Sequence, residues 1–156
     1  MRPKVDQTDR AIVDLLMEDG RMPCAEIARS LGNVSARTVR NRIRRLTEKG
    51  IIKVTAVASR KALGYRIVAD ISIETEPRKA AEVAELAATV DKVSYVAIVA
   101  GDRDVFVQVN AADIEDLQAL ITEELQAIPG VRSTRTTLLT QLLKDIYEWR
   151  IPAELP

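Results

Sequence analysis

The chain has 156 residues, of which 47% are hydrophobic and 29% charged, and its apolar stretches are far shorter than the roughly 20 residues of a membrane-spanning helix. It contains one cysteine, Cys24, and no histidine, which excludes a Ser-His-Asp triad and the usual zinc sites. The first residues do not form a secretory signal. These features predict a cytoplasmic protein of one large or two small domains, with no metal and no cofactor.

Charge is divided between the two halves of the chain, although the formal net charge is zero. Residues 1–55 carry 12 basic against 7 acidic side chains, whereas residues 56–156 carry 11 against 16. Six arginines and no acid lie between residues 27 and 47, namely Arg29, Arg37, Arg40, Arg42, Arg44 and Arg45. Such a run favours a polyanion as the partner of the first half. The alternative is a solvated helix face, which normally mixes both signs.

Three helices are predicted in the first 50 residues. The first spans residues 6–19, the second spans 25–31, and the third follows Ser35 and ends at Gly50. The apolar positions of the third helix, at i, i+4 and i+7, are Val39, Ile43 and Leu46. Two helices joined by a short turn, the second rich in arginine, predict a helix-turn-helix.

After Gly50 the pattern changes to alternating β-branched residues, and residues 51–57 predict a strand within a linker of residues 51–64. The following elements are predicted at residues 66–74, 77–89, 93–100, 105–110, 113–128 and 131–140. Their order, βαββαβ, predicts a ferredoxin-like sandwich with helices on one face of an antiparallel sheet. The predicted fold class is therefore α+β: a tri-helical winged helix-turn-helix over residues 1–50, the linker, and the ferredoxin-like domain over residues 65–156.

Both helices of the second half have an apolar stripe that is predicted to face the sheet. On the first helix the stripe consists of Val83, Leu86, Ala87 and Val90. On the second helix it consists of Ile114, Leu117, Leu120, Ile121 and Ile128.

The third helix carries the predicted base-reading side chains. At about 100° per residue its apolar positions face the core, and Arg37, Arg40 and Asn41 lie on the opposite side near the helix start. Arginine makes bidentate contacts to guanine and asparagine to adenine in the major groove. These three residues are therefore the predicted base contacts.

Other residues of the third helix complete the predicted DNA-binding set. Arg44 and Arg45, together with Lys53 beyond the helix, are placed for phosphate contacts. Ser35 and Thr38 stand at the helix start. Arg42 lies beside the core and is expected to brace the domain. RNA or an acidic protein are alternative partners. Only five aromatic residues are present, and the major groove of A-form RNA is too narrow for a helix, so duplex DNA is favoured.

Motifs along nearly the whole chain resemble those of the Lrp/AsnC family of transcriptional regulators, also called feast/famine proteins. In the first half the resemblance rests on Asp9-Arg-Ala-Ile, Asp19-Gly-Arg21, Glu26-Ile-Ala, Ser35-x-x-Thr-Val39, Arg42-Ile-Arg-Arg-Leu46 and Lys49-Gly-Ile-Ile-Lys53. In the second half it rests on Ala100-Gly-Asp-Arg-Asp104 and Pro129-Gly-Val131. The order and spacing of these motifs, rather than any one of them, make the resemblance specific.

The resemblance implies an amino-acid-responsive transcription factor. It implies a homodimer formed through the strand over residues 51–57 and the sandwich, with further assembly into octamers. It also implies a small amino acid bound between dimers near the glycine-aspartate turn. Carried over to this chain, the implied effector site consists of Gly101, Asp102, Asp104, Thr134 and Thr136.

Alternatives remain open for this turn and for the function as a whole. The residues alone favour a hairpin glycine at Gly101 and a turn-capping carboxylate at Asp104, and only the family resemblance brings the effector role level with this alternative. An architectural protein that wraps DNA without an effector is the main alternative function. Sirohaem decarboxylases share the two-domain architecture, but histidines are expected in their chemistry and this chain has none.

Overall fold

The computed structural model describes residues 5–152, which divide into two compact units. The helical unit comprises residues 5–57 together with 144–152, and the sheet unit comprises residues 58–143. Among these residues no helix has the length and apolarity needed to cross a lipid bilayer.

Three helices form the helical unit: α1 (Gln7–Glu18), α2 (Cys24–Leu31) and α3 (Ala36–Glu48). All three agree with the predicted elements to within one or two residues. Each helix contributes one fully buried apolar side chain to a shared core, and these are Ile12, Ile27 and Val39. The spacing of apolar residues along each helix therefore reports correctly which side faces inward.

Local capping sets where these helices begin and end. The Asp6 carboxylate accepts a hydrogen bond from the Asp9 amide at 2.8 Å, and the Asp9 carboxylate accepts one from the Asp6 amide at 3.2 Å. This reciprocal pair closes the first turn of α1. Gly32 ends α2 in the left-handed region at φ 72°, and Ser35 caps α3 by accepting the Thr38 amide at 3.1 Å.

The strand predicted over residues 51–57 is not formed, and residues 5–57 contain no strand, so the predicted wing is not present in this unit. A strand requires a neighbouring strand to accept and donate its backbone hydrogen bonds. Residues 51–57 have no such neighbour within residues 5–152, and the side chains of Val54 and Val57 are 50% and 55% exposed.

The sheet unit has the predicted βαββαβ order. Its elements are β1 (Ile67–Thr75), α4 (Ala80–Ala87), β2 (Val93–Ile98), β3 (Val105–Ala111), α5 (Ile114–Ala119) and β4 (Val131–Leu138). The four strands are antiparallel to their neighbours in the order β2-β3-β1-β4, which confirms the ferredoxin-like sandwich. Alternate residues of the central strand β1, including Ile71 and Ile73, are fully buried.

The predicted stripe on α4 is wrong at Leu86, which is 39% exposed. Val83, Ala84 and Ala87 are the buried residues of this helix. Their arc is centred between Val83 and Ala84, which leaves Leu86 roughly 100° away from it. The small side chain of Ala84, rather than the larger one of Leu86, therefore faces the sheet.

The predicted stripe on α5 is wrong at Ile114, which is 55% exposed, and it omits Leu125, which is fully buried. The helix continues beyond Ala119 as a π-helical turn, Leu120–Leu125. A π turn adds one residue to the turn, so the buried positions step from Leu120 to Leu125 instead of to residue 124. Ile114 is the first residue of α5 and lines an open groove between α5 and β4.

Residues 144–152 belong to the helical unit. The sequence predicts them as part of the ferredoxin-like domain of residues 65–156. Residues 146–148 form a short 3₁₀ turn. Beyond it, the Arg150 guanidinium lies 3.6 Å from the Asp14 carboxylate and 3.8 Å from that of Glu18, both on α1. These exposed ion pairs place residues 144–152 with the helices.

Candidate nucleic-acid interface and effector turn

The outward side of α3 carries unengaged arginines near its start. Arg37, Arg40 and Asn41 are exposed, while Val39 between them is fully buried. Neither the Arg37 nor the Arg40 side chain forms a hydrogen bond or an ion pair with residues 5–152. The positive end of the α3 dipole lies at the same end of the helix. This side of α3 therefore presents charge and hydrogen-bond donors to an anionic partner.

The predicted residues at the helix start are used in capping. The Ser35 and Thr38 hydroxyl oxygens lie 2.9 Å apart and share a hydrogen bond, in addition to the bond from the Thr38 amide to Ser35. These residues hold the first turn of α3 and so fix where Arg37 emerges.

Arg44 is exposed and only weakly engaged. Its Nη2 donates to the Asn41 Oδ1 at 3.4 Å, and its Nε lies 4.0 Å from the Glu48 carboxylate. The Arg44 and Glu48 side chains are 69% and 70% exposed. Ion pairs at this exposure contribute little, so the Arg44 guanidinium is available to a phosphate.

Arg42 and Arg45 point toward α1 instead. Arg42 Nη1 lies 2.6 Å from the Asp6 carboxylate and 2.8 Å from the Asp9 carboxylate. Arg45 Nη2 forms an ion pair with the other oxygen of Asp9, whose side chain is 0% exposed. The expected bracing role of Arg42 agrees with this geometry, through its charged group. Arg45, predicted to contact phosphate, is held by a buried carboxylate.

Asp9 is the residue of this interface that sequence reasoning missed. It lies three residues before Ile12, on the inward side of α1, where an acidic side chain is rarely found without a partner. An acid at an apolar position of α1, facing an arginine-rich helix, was the available signal.

Acid should weaken the helical unit through Asp6. Its pKa lies below the ordinary 3.8, mainly because Arg42 donates a hydrogen bond to it and also because the Asp9 amide does. A carboxyl group with a depressed folded pKa stabilises the fold above its unfolded pKa and loses that contribution as pH falls through the folded pKa. We expect the free energy of unfolding to decrease once the pH is lower than about 4. Asp6→Asn preserves the cap and should remove up to about 1 kcal/mol of this decrease.

Urea unfolding followed by circular dichroism at about pH 5 and about pH 3 measures this contribution. Asp91→Asn is the control, because Asp91 is exposed and has no hydrogen bond or ion pair with the described residues. The same pH dependence in both variants would show that Asp6 contributes nothing.

In the sheet unit, the turn between β2 and β3 is held firmly while its tip is exposed. Gly101 and Asp102 are exposed. The Asp104 Oδ2 accepts hydrogen bonds from the Thr75 amide at 2.8 Å and the Thr75 hydroxyl at 3.2 Å. Arg103 Nη1 donates to Ser133 Oγ at 2.8 Å. One oxygen of Asp104 thus binds the end of β1 rather than the backbone of its own turn.

The two threonines of the implied effector site lie on β4. Thr134 Oγ1 accepts a hydrogen bond from Gln126 Nε2 at 2.8 Å. Thr136 lines an open groove of about 340 Å³ between α5 and β4. The other residues of this groove are Ile114, Leu117, Gln118, Ile121, Thr122 and Leu138.

Within one chain the structure does not bring the threonines to the turn. Ile73 of β1 pairs with Val105, which follows the turn, and on its other side with Thr134. Two strand spacings, roughly 10 Å, therefore separate the Thr134 and Val105 backbones.

Comparisons with known proteins match both units. The AsnC-type helix-turn-helix domain matches residues 5–47, and the Lrp/AsnC ligand binding domain matches residues 68–149. An uncharacterized HTH-type transcriptional regulator of Pyrococcus abyssi is 43% identical over 145 residues, which cover 92% of this chain and 91% of that protein.

Solved structures show the same architecture. AsnC of E. coli has a TM-score of 0.84 at 27% identity and covers 93% of this chain and 99% of its own. The feast or famine regulatory protein of M. tuberculosis, solved with L-methionine, has a TM-score of 0.82 at 26% identity and covers 96% and 100%. The chain has an exposed basic helix in one unit, a ferredoxin-like sheet in the other, and a domain match to each, and it therefore belongs to the Lrp/AsnC family of DNA-binding transcriptional regulators.

Proposed function

We propose that this chain reads specific duplex DNA with α3 and that its DNA affinity or assembly responds to a small amino acid. The observation that carries the DNA-reading part is the exposure of Arg37 and Arg40 without an ion pair among the described residues. Arginines at the start of a recognition helix reach guanine edges in the major groove.

In the proposed DNA-binding mode, different residues of α3 contact the bases and the phosphates. Arg37, Arg40 and Asn41 contact base edges, and Arg44 contacts a phosphate on the adjoining backbone. The apolar side of α3, with Val39 and Leu46 fully buried, anchors the helix in its unit. Base contacts supply sequence preference, while the phosphate contact supplies affinity that falls with salt.

The proposed functional form is a homodimer that assembles further, up to an octamer. Helices cover one face of the sheet, whereas the other face presents Tyr95, which is 47% exposed and packs edge-on to Phe106 at 6.0 Å between ring centroids. Residues 51–57 are rich in β-branched side chains and pair with no strand among the described residues. Association with a second copy would cover the sheet face that carries Tyr95 and would give residues 51–57 a strand to pair with. Sedimentation equilibrium measures the mass of the assembly.

We place the effector at the turn of residues 101–104. The tip at Gly101 and Asp102 is exposed, and the Asp104 Oδ1 accepts no hydrogen bond from residues 5–152. A carboxylate at the turn would bind the ammonium group of an amino acid. Because β1 separates Thr134 and Thr136 from the turn, their hydroxyls would come from another subunit. The structural relative bound to L-methionine supports this class of ligand.

Gly101→Ala should impair effector binding without harming the fold. A Cβ at Gly101 meets no atom within 4 Å, and the Gly101 φ lies outside the left-handed region. We therefore expect unfolding free energy to change by less than about 0.5 kcal/mol. A ligand that approaches the Gly101 backbone would meet the new methyl group, which should weaken its binding by at least about tenfold.

Isothermal titration calorimetry measures that affinity, starting with L-methionine and continuing through the other common amino acids. Gly20→Ala is the matched control, since Gly20 lies in the helical unit and also tolerates a Cβ, 3.7 Å from the nearest atom, the Leu16 oxygen. Equal affinities in the two variants would show that the effector does not bind at the turn.

Selection from a pool of randomised duplexes tests the function as a whole. We expect the full chain to enrich a sequence with two half-sites about 34 Å apart, and its affinity to fall steeply with salt. Enrichment of no sequence, together with no heat from any amino acid, would instead identify an architectural DNA-wrapping protein.

A further inference from the structure

The six arginines between residues 27 and 47 do not form one basic surface. On α3, Arg37, Arg40 and Arg44 are exposed. Arg42 and Arg45 converge on Asp9, each on a different carboxylate oxygen. The Asp9 side chain is 0% exposed, whereas those of Arg42 and Arg45 are 26% and 41% exposed. A buried acid on α1 thus binds two cations of the helix proposed to read DNA.

We propose that Asp9 is the positioning residue of the DNA-reading helix: it binds Arg42 and Arg45, fixes the rotation of α3 against α1, and keeps both guanidinium groups off the phosphates. This inference rests on the proposed function. It assigns Arg45 to the interior of the unit rather than to the DNA backbone.

Geometry explains why this contact orients α3. The apolar contacts of α3 are non-directional and tolerate small rotations. A carboxylate that receives a guanidinium on each oxygen is directional, and its two donors lie three residues apart on one side of α3. Both contacts are satisfied together in only one rotation of the helix. The Asp9 carboxylate also accepts the Asp6 amide at 3.2 Å, so the first turn of α1 holds it in place.

Burial makes the pairing stringent. A carboxylate removed from water and left without partners is strongly unfavourable, which penalises poses of α3 that move Arg42 or Arg45 away. In several proteins a buried ionic group selects one arrangement over others more than it adds to stability, and we propose the same role for Asp9. Loss of the contact should therefore reduce sequence discrimination more than it reduces overall DNA affinity.

Two neighbouring glutamine substitutions separate positioning from phosphate contact. The DNA probes are a duplex selected by the unmodified chain and a random-sequence duplex of equal length. Arg44→Gln should lower the slope of log affinity against log salt by about one per protomer and leave the ratio of the two affinities unchanged. Arg45→Gln should leave the slope unchanged and lower the ratio by about tenfold. A reduced slope for Arg45→Gln, or an unchanged ratio, would overturn the inference.

Asp9→Asn provides a measurement that separates the positioning role from a purely structural one. It frees two guanidinium groups, so we expect a steeper salt slope and tighter binding to the random duplex, with weaker binding to the selected one. Asp9→Glu restores the charge and should return the random-duplex affinity toward that of the unmodified chain, while discrimination stays reduced. Equal losses on both duplexes for Asp9→Asn would overturn the inference.

Circular dichroism establishes which variants are folded. If Asp9→Asn does not fold, the Arg44→Gln and Arg45→Gln pair decides alone. If the unmodified chain selects no duplex, the proposed function fails. If it selects one and the variants do not follow the expected pattern, only the role of Asp9 fails.

Discussion

Arg40→Ala combined with Arg44→Ala should remove nearly all retention of a selected duplex. The pair deletes one base-reading and one phosphate-contacting guanidinium per protomer, a loss of about 2–4 kcal/mol, or roughly 30- to 1,000-fold in affinity. Both side chains are exposed, so the melting temperature should not change appreciably. Fluorescence anisotropy of a labelled duplex at fixed salt measures the affinity.

Lys61→Ala combined with Arg66→Ala is the matched control for this variant. It removes the same charge from exposed positions of the sheet unit, where neither side chain has a hydrogen bond or ion pair with the described residues. We expect a change of less than about threefold in affinity. Equal losses in the two double variants would mean that general positive charge, rather than α3, holds the DNA.

Leu125→Ala should destabilise the sheet unit by about 2–5 kcal/mol, because it leaves a cavity in a closely packed core. Leu125 is fully buried beneath the π turn of α5. Ile114→Ala, on the same helix, should cost less than about 1 kcal/mol, since Ile114 is 55% exposed. Urea unfolding of the full chain, followed by circular dichroism, compares the two free energies.

This pair distinguishes two ways of winding the helix. A regular α-helical continuation from Leu117 would bury Leu120 and Ile121 and next residue 124, and it would keep Ile114 on the same side. A larger loss of stability from Ile114→Ala than from Leu125→Ala would therefore contradict the π turn.

Elements whose causes are local were predicted well. Ser35 caps α3 and Gly32 ends α2, because each acts on backbone groups only a few residues away. The order of the sheet elements also follows from alternation and helical spacing along the chain. The prediction of a strand over residues 51–57 was wrong for the single chain, because a strand depends on its neighbour as much as on its own residues.

In the candidate interface, too, the local features were predictable and the contacts between distant residues were not. The helical wheel correctly placed Arg37 and Arg40 on the outward side of α3, since rotation about the helix axis is a local property. It did not reveal that Arg45 turns to Asp9, because a wheel gives the direction of a side chain and not what lies there. The partner is 36 residues away in sequence.

The separation of the implied effector residues has a similar origin. The turn at Gly101 and the threonines of β4 were associated by family resemblance, which reports what lies together in an assembled protein. Sheet order places β1 between β3 and β4, so one chain alone keeps them apart.

The helical unit draws its residues from both sides of the sheet unit in the chain, and this affects the order of biosynthesis. The three helices leave the ribosome first, but the segment that carries Arg150 emerges only after the whole sheet unit. Domains generally fold as they emerge from the ribosome. The nascent helices must therefore hold together through their own small core, with Asp14 and Glu18 still hydrated, until the final segment docks on α1.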